Sequence, residues 1–89
     1  MRRYRVQTTR KAEKDLRSLP YSYALKFELK FSALSQVDNP KSFLNKLQGH
    51  EDLYYIRAGD YRAILGVQDD LLIIMVIQVD KRSKSYRKY

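Results

Sequence analysis

Tyr55-Ile56-Arg57-Ala58-Gly59-Asp60-Tyr61-Arg62 reads as two strand ends joined by a tight turn. With Gly59-Asp60 as a two-residue connection and glycine first, as a type II′ turn prefers, Ala58 pairs with Tyr61 and Arg57 with Arg62. Two like charges then stand directly opposite. Such a pair weakens a sheet by a few tenths of a kcal/mol up to about one, so it needs a solvent outlet or an anionic partner. From this stretch alone both outcomes stay open: guanidinium groups splayed into water, or a site for an anion.

The register extends in both directions. Tyr54, Ile56, Ala63 and Leu65 fall on one face of the hairpin, and Tyr55, Arg57, Arg62 and Ile64 on the other. Asp69-Asp70 turns the chain into Leu71 to Val79, a run apolar on both phases as far as Ile77, which predicts a central strand. Gly66 predicts a bulge or a close approach. Upstream, Tyr4, Val6 and Thr8 alternate with Arg3, Arg5 and Gln7, giving a first strand with one wet face. Thr9 suits the N-cap of a helix that sets Ala12, Leu16 and Leu19 on one side and stops at Pro20. A second helix from Tyr21 to Val37 aligns Ala24, Phe27, Phe31 and Leu34. Asn39-Pro40 closes the helical hairpin, and Ser42 to Leu47 adds a short turn before Gly49. The fold class is α+β: an N-terminal strand, a helical hairpin, a three-stranded antiparallel meander and a short C-terminal helix in the basic tail, as one domain over residues 1–89. Both helices belong to one connection and cover one sheet face. The other face is expected to be a concave, partly open basic surface.

The net charge of +8 is unevenly placed. Arg2, Arg3, Arg5, Arg10, Lys11, Lys14 and Arg17 load the start, and Lys81, Arg82, Lys84, Arg87 and Lys88 load the end, whereas residues 49–80 hold only Arg57 and Arg62 as cations among six acids. A nucleic acid or an acidic protein complements such poles, with solubility as the plainer explanation. The absence of cysteine removes disulfides, thiolate chemistry and sulfur metal sites, and fits a reducing compartment. The basic start leads into an alternating segment, not an apolar one, and the apolar run Leu71 to Ile77 is far short of the roughly 20 residues a membrane span needs. A soluble, cytoplasmic protein without a membrane partner is expected.

Chemistry is narrowed by what the residues offer. There is one histidine, and no two carboxylates are spaced to hold divalent ions, so neither a metal nor another cofactor is expected. A phosphate-cradling glycine loop, a dinucleotide fingerprint and a nucleophile elbow are all missing. Metal-free phosphodiester transfer remains, in which an RNA 2′-hydroxyl attacks its neighbouring phosphorus while arginines stabilise the developing charge. Tyr55 interleaved with Arg57 and Arg62 suits RNA, because bases stack on flat side chains and phosphates accept arginine forks. Arg82 enters from the end of the adjacent strand, and Lys81, Lys84, Arg87 and Lys88 extend the RNA-binding surface. His50, in the Gly49-Glu51-Asp52 loop, has the intrinsic pKa for acid–base work and is an accessory candidate beside the plain reading of a surface loop residue.

Leu47-x-Gly49, then Leu53 through Arg62, then a strand ending Val79-Asp80-Lys81-Arg82 with Tyr86 nearby, resembles the RelE/ParE toxin superfamily over essentially the whole chain. The resemblance to its RelE branch implies a type II toxin that is a ribosome-dependent endoribonuclease (an mRNA interferase) cleaving messenger RNA in the 30S A site. It also implies a cognate acidic antitoxin that wraps the basic surface in a hetero-oligomer. By the same resemblance Arg57 would orient the phosphate or act as base, Arg62 would stabilise the scissile phosphate, Arg82 would support the transition state and leaving group, and Tyr86 would stack on the nucleotide. Two departures stand out: Tyr55 replaces a lysine that members often carry, and Asp80 replaces a glycine. Arginine hardly deprotonates near neutral pH, so the role of Arg57 is electrostatic and the general base is left open between Lys81 and Tyr55. Two alternatives remain, a ParE-like toxin that inhibits DNA gyrase and an attenuated homologue that binds antitoxin or RNA without cleaving.

Overall fold

The computed structural model describes residues 3–81, and the hairpin in it has the register read above. Strands β3 (Leu53–Ala58) and β4 (Tyr61–Gln68) pair antiparallel, with Arg57 opposite Arg62 and Ala58 opposite Tyr61. Gly59 has φ +58° and Asp60 keeps a negative φ, the type II′ pattern. Strand β5 (Ile73–Lys81) pairs antiparallel with β4 on one side and parallel with β1 (Arg5–Thr8) on the other. With the two-residue β2 (Asn45–Lys46) on β3, the sheet order is β1-β5-β4-β3-β2. The doubly apolar run is central, as its composition requires.

Helix α1 (Arg10–Arg17) starts at Thr9, whose hydroxyl oxygen accepts from the Ala12 amide at 3.0 Å. Helix α2 (Tyr21–Leu34) follows Pro20, which needs no donor there. Phe27, Phe31 and Leu34 are buried against Ile56, Ala58, Ala63, Leu65, Val67, Ile74, Val76 and Val79, with Ala12 of α1 beside them. This is the single core. Tyr23 of α2 sits on the hairpin turn itself, with its ring 5.0 Å from that of Tyr61.

Four details depart from the sequence reading. Strand β2 is additional, because Asn45-Lys46 carries no apolar period that would mark it. Strand β5 begins at Ile73, since Leu71 and Leu72 belong to the turn, where Leu72 takes φ +55° and its carbonyl accepts from the Arg5 amide at 2.8 Å. Helix α2 stops at Leu34 and not Val37, where the Ser35 and Gln36 amides bond the Ser32 and Ala33 carbonyls in tighter turns. The expected short C-terminal helix lies outside the described residues.

The fourth departure sets the geometry of the site. Of the bulge or close approach expected at Gly66, Gly66 has the close approach and the bulge sits on β5: Ile64 pairs with Gln78 and Leu65 with Val76, leaving Ile77 as the extra residue. Gly66 faces that bulge, with the Ile77 Cδ1 3.6 Å from where its Cβ would be. Helix α1 satisfies the backbone groups freed there. The Thr9 hydroxyl donates to the Ile77 carbonyl at 2.6 Å, and the Val79 amide donates to Asp15 at 3.0 Å. Along β5 the core residues are Ile74 and Val76 before the bulge and Val79 after it, so the inward phase changes from even to odd. Gln78 and Asp80 are thereby turned to the face opposite α1 and α2.

A polar cluster ties distant segments together at one end. The Tyr4 hydroxyl donates to Asp69 at 2.5 Å and Lys41 pairs with the same carboxylate at 2.8 Å. That hydrogen bond raises the Lys41 pKa above the ordinary lysine value. Among the described residues no helix is long and apolar enough to cross a membrane.

Candidate functional site

The sheet face opposite α1 and α2 carries one row of charge across three strands: Arg57 on β3, Arg62 on β4 and Asp80 on β5. Arg62 is the middle member. Its cross-strand neighbour on one side is a like charge and on the other a carboxylate-bearing residue, so the repulsion inferred from the hairpin is opposed across the next ladder. Tyr55 adds to this. The Arg62 guanidinium carbon lies 4.1 Å from the Tyr55 ring centroid and that of Arg57 5.3 Å from it, and Arg57 Nη2 donates to the Tyr55 hydroxyl at 3.1 Å. A cation against an aromatic face gains about 0.5–1 kcal/mol when exposed and about 2 when desolvated. One tyrosine therefore holds both arginines.

The face is less open than the absence of a helix over it among the described residues suggests. Arg62 is 3% exposed, Ile64 0% and Gln78 5%. For Arg62 the Tyr55 ring supplies cover, and Ile64 is flanked by Tyr55 and Gln78 as its two ladder partners. Arg57 remains exposed at the rim. The two arginines thus divide into an outer one that meets solvent and an inner one fixed in the sheet.

The other candidates are distributed unequally. Lys81 is opposite Tyr61, whose side chain packs toward the helices, so the ladder sets it on the far phase from Arg62. His50 is in the exposed turn before β3, where its amide bonds the Leu47 carbonyl at 3.2 Å. From Leu53 to Arg57 is four strand steps of ~3.3 Å, roughly 13 Å, so the structure does not bring His50 to the arginine pair. Arg82, Lys84, Tyr86, Arg87 and Lys88 lie outside the described residues. The sequence leads one to expect Gln78 and Asp80 where the strand returns to solvent, with Asp80 replacing a family glycine; Gln78 is buried instead, and the position of Asp80 beside Arg62 follows from the bulge. The Gln78 side-chain amide donates to Asp80 Oδ2 at 2.6 Å. Among the described residues no three His, Asp or Glu side chains gather to hold a metal ion.

Chemically, this face offers a desolvated guanidinium, an exposed guanidinium, a phenol and a carboxylate in one patch. Fixed cations of this kind stabilise charge that develops on an oxyanion, and they lose little in reorganising because the sheet and Tyr55 already orient them.

The family described as the ParE toxin of type II toxin-antitoxin systems (parDE) matches residues 6–86. The chain is similar to the Mycobacterium tuberculosis protein named Toxin RelE, 35% identical over 89 aligned positions that cover 94% of this chain and 87% of that one. It is also 35% identical over 60 positions to the Escherichia coli mRNA interferase toxin RelE, where the match spans 65% of this chain and 63% of the relative. Among solved structures, the archaeal RelE-RelB complex from Pyrococcus horikoshii superposes with a TM-score of 0.75 at 32% identity, covering 91% of this chain and 97% of that one. The two-helix, five-strand architecture and the near full-length family match together show that the chain belongs to the RelE/ParE toxin superfamily of type II toxin–antitoxin systems.

Proposed function

We propose that this protein is a RelE-type endoribonuclease that cleaves messenger RNA in the ribosomal A site by attack of a 2′-hydroxyl on the adjacent phosphorus. The observation that carries this reading is the Arg57–Arg62 pair held against one tyrosine on the face opposite α1 and α2. A base stacked on Tyr55 brings its phosphate to Arg57 at the rim, and Arg62 supplies fixed positive charge behind it as the phosphorane forms. Arg82 and Tyr86 complete the site in this reading, the first at the leaving group and the second on the nucleotide. The name of the Escherichia coli relative, mRNA interferase toxin RelE, supports RNA cleavage.

The partner in this reading is a cognate acidic antitoxin. Its support is the charge of +8 and the RelE-RelB complexes formed by relatives. An apolar stripe adds to it: Tyr21, Leu25 and Leu29 are exposed along α2, beside a groove of about 690 Å³ between the helices and β1. Apolar stripes of this kind mark surfaces that a partner covers.

The test is direct. Purified protein is added to ribosomes programmed with a defined message, and 3′ ends are mapped; cuts within the A-site codon are expected. Intact message at stoichiometric protein would sink the nuclease reading. The family match to ParE motivates one alternative, inhibition of DNA gyrase, and loss of supercoiling in a parallel assay would favour it.

A further inference from the structure

We propose that Asp80 is the proton acceptor for the attacking 2′-hydroxyl, a role that rests on the RNA-cleaving reading above. Three observations converge on it. Asp80 stands directly across the ladder from Arg62, on the face that carries Arg57 and Tyr55. It is half-buried and therefore keeps an open side. The nearly buried Gln78 amide binds Oδ2 at 2.6 Å, which fixes the carboxylate and leaves Oδ1 to a substrate.

The bulge is what makes this arrangement possible. Without the extra residue at Ile77, the phase that buries Ile74 and Val76 would send residues 78 and 80 into the core. Bulges recur beside active sites because they re-aim a side chain without ending the strand. Here the bulge is locked from the far side of the sheet by Thr9 on the Ile77 carbonyl and Asp15 on the Val79 amide. Among the described residues, the groups facing Asp80 are Arg62 from β4, Arg57 beyond it on β3 and Gln78 on its own strand; from α1, Asp15 reaches the Val79 amide on the opposite side. No other described carboxylate shares the patch.

The step balances as follows. The 2′-hydroxyl proton passes to Asp80 Oδ1 as the 2′-oxygen bonds to phosphorus. The bond from phosphorus to the 5′-oxygen breaks, and that oxygen takes a proton from solvent water. The products are a 2′,3′-cyclic phosphate and a 5′-hydroxyl, and Asp80 returns its proton to solvent. A carboxylate offers acceptor lone pairs to a hydroxyl, whereas the guanidinium groups beside it can only donate.

The experiment is single-turnover cleavage of programmed ribosomes between pH 6 and 8 by the wild type, Asp80→Asn and Asp80→Glu, with ribosome binding measured in parallel. The wild type should give a rate independent of pH. Asp80→Asn should bind equally well but cleave about 10²- to 10⁴-fold more slowly, the usual span for general-base removal, with a rate that now climbs about tenfold per pH unit as hydroxide takes over. Asp80→Glu should keep the flat profile at reduced rate, which guards against a folding defect in the amide variant. A rate in Asp80→Asn within threefold of wild type overturns the proposal, and so does a slow rate with an unchanged flat profile. A faster rate overturns it in favour of a carboxylate that merely competes with phosphate for Arg62. If the wild type binds but leaves the message intact, the cleavage reading itself fails and the role of Asp80 goes with it.

Discussion

Replacing Gly59 with alanine tests how the arginine pair is positioned. The residue has φ +58°, and an added Cβ would collide with Tyr23 Cε1 and lie 2.9 Å from the Tyr23 hydroxyl oxygen. Two costs are therefore separable. A non-glycine residue in the left-handed region costs about 1–2 kcal/mol. Forcing the aromatic ring off its seat adds about 1–3 kcal/mol, as overpacking does elsewhere. The total, about 2–5 kcal/mol, corresponds to a fall in Tm of at least about 8 °C, at about 4–8 °C per kcal/mol for a domain of this size. Thermal and urea unfolding of Gly59→Ala, Tyr23→Leu and the double variant form a cycle in which leucine removes the ring atoms that collide. In the Tyr23→Leu background, Gly59→Ala should retain only the backbone cost of about 1–2 kcal/mol. Equal costs in both backgrounds would refute the collision, and a loss below about 0.5 kcal/mol in the wild-type background would refute both assignments.

Other perturbations read different parts of the molecule. Arg62→Ala should lower stability by about 1–3 kcal/mol, because it removes a buried cation–π partner and leaves a cavity under Tyr55, and should cut cleavage by about 10²-fold or more; stability unchanged in urea melts would contradict its burial. Asp15→Ala deletes the charged acceptor of the Val79 amide and should cost about 1.5–3 kcal/mol, with hydrogen exchange accelerated at Val79 first. Exchange that speeds up uniformly instead would mean that the bulge is not the local weak point. The pH dependence of the Lys41–Asp69 pair has a definite sign. Because the folded-state pKa of Lys41 is raised above 10.5, its contribution is complete below that value and is lost as pH rises through the higher folded one. The pair is partly exposed, so the contribution is at most about 1 kcal/mol; in Lys41→Met the stability curve above pH 10 should flatten relative to wild type.

Much of this architecture is written locally. Gly59-Asp60 determines a two-residue turn, the turn determines the register, and the register places Arg57 opposite Arg62, so the pair was legible without any tertiary information. The helical hairpin was legible for the same reason, through Thr9, Pro20 and the spacing of Phe27, Phe31 and Leu34. Illegible features are those decided by a neighbour. Leu71 to Ile77 is apolar on both phases, so it carries no information about which face any residue takes, and the bulge at Ile77 is fixed by Thr9 and Asp15 from a distant helix. The burial of Arg62 depends on where the Tyr55 ring lies. Asp80 could not be placed until both were known.

The parallel pairing of β1 with β5 has a consequence for the order of assembly. Tyr4 and Asp69 bond across 65 residues of chain, and β1 meets no other strand among those described. At about 5–20 residues per second of synthesis, the first strand waits on the order of 3–13 s before its partner exists. Helix α1 waits with it, since its anchors at Ile77 and Val79 belong to that same late strand. The charged face is therefore assembled last, when β5 docks between segments made at opposite ends of the interval. The row of Arg57, Arg62 and Asp80 thus exists only once that late strand is in place.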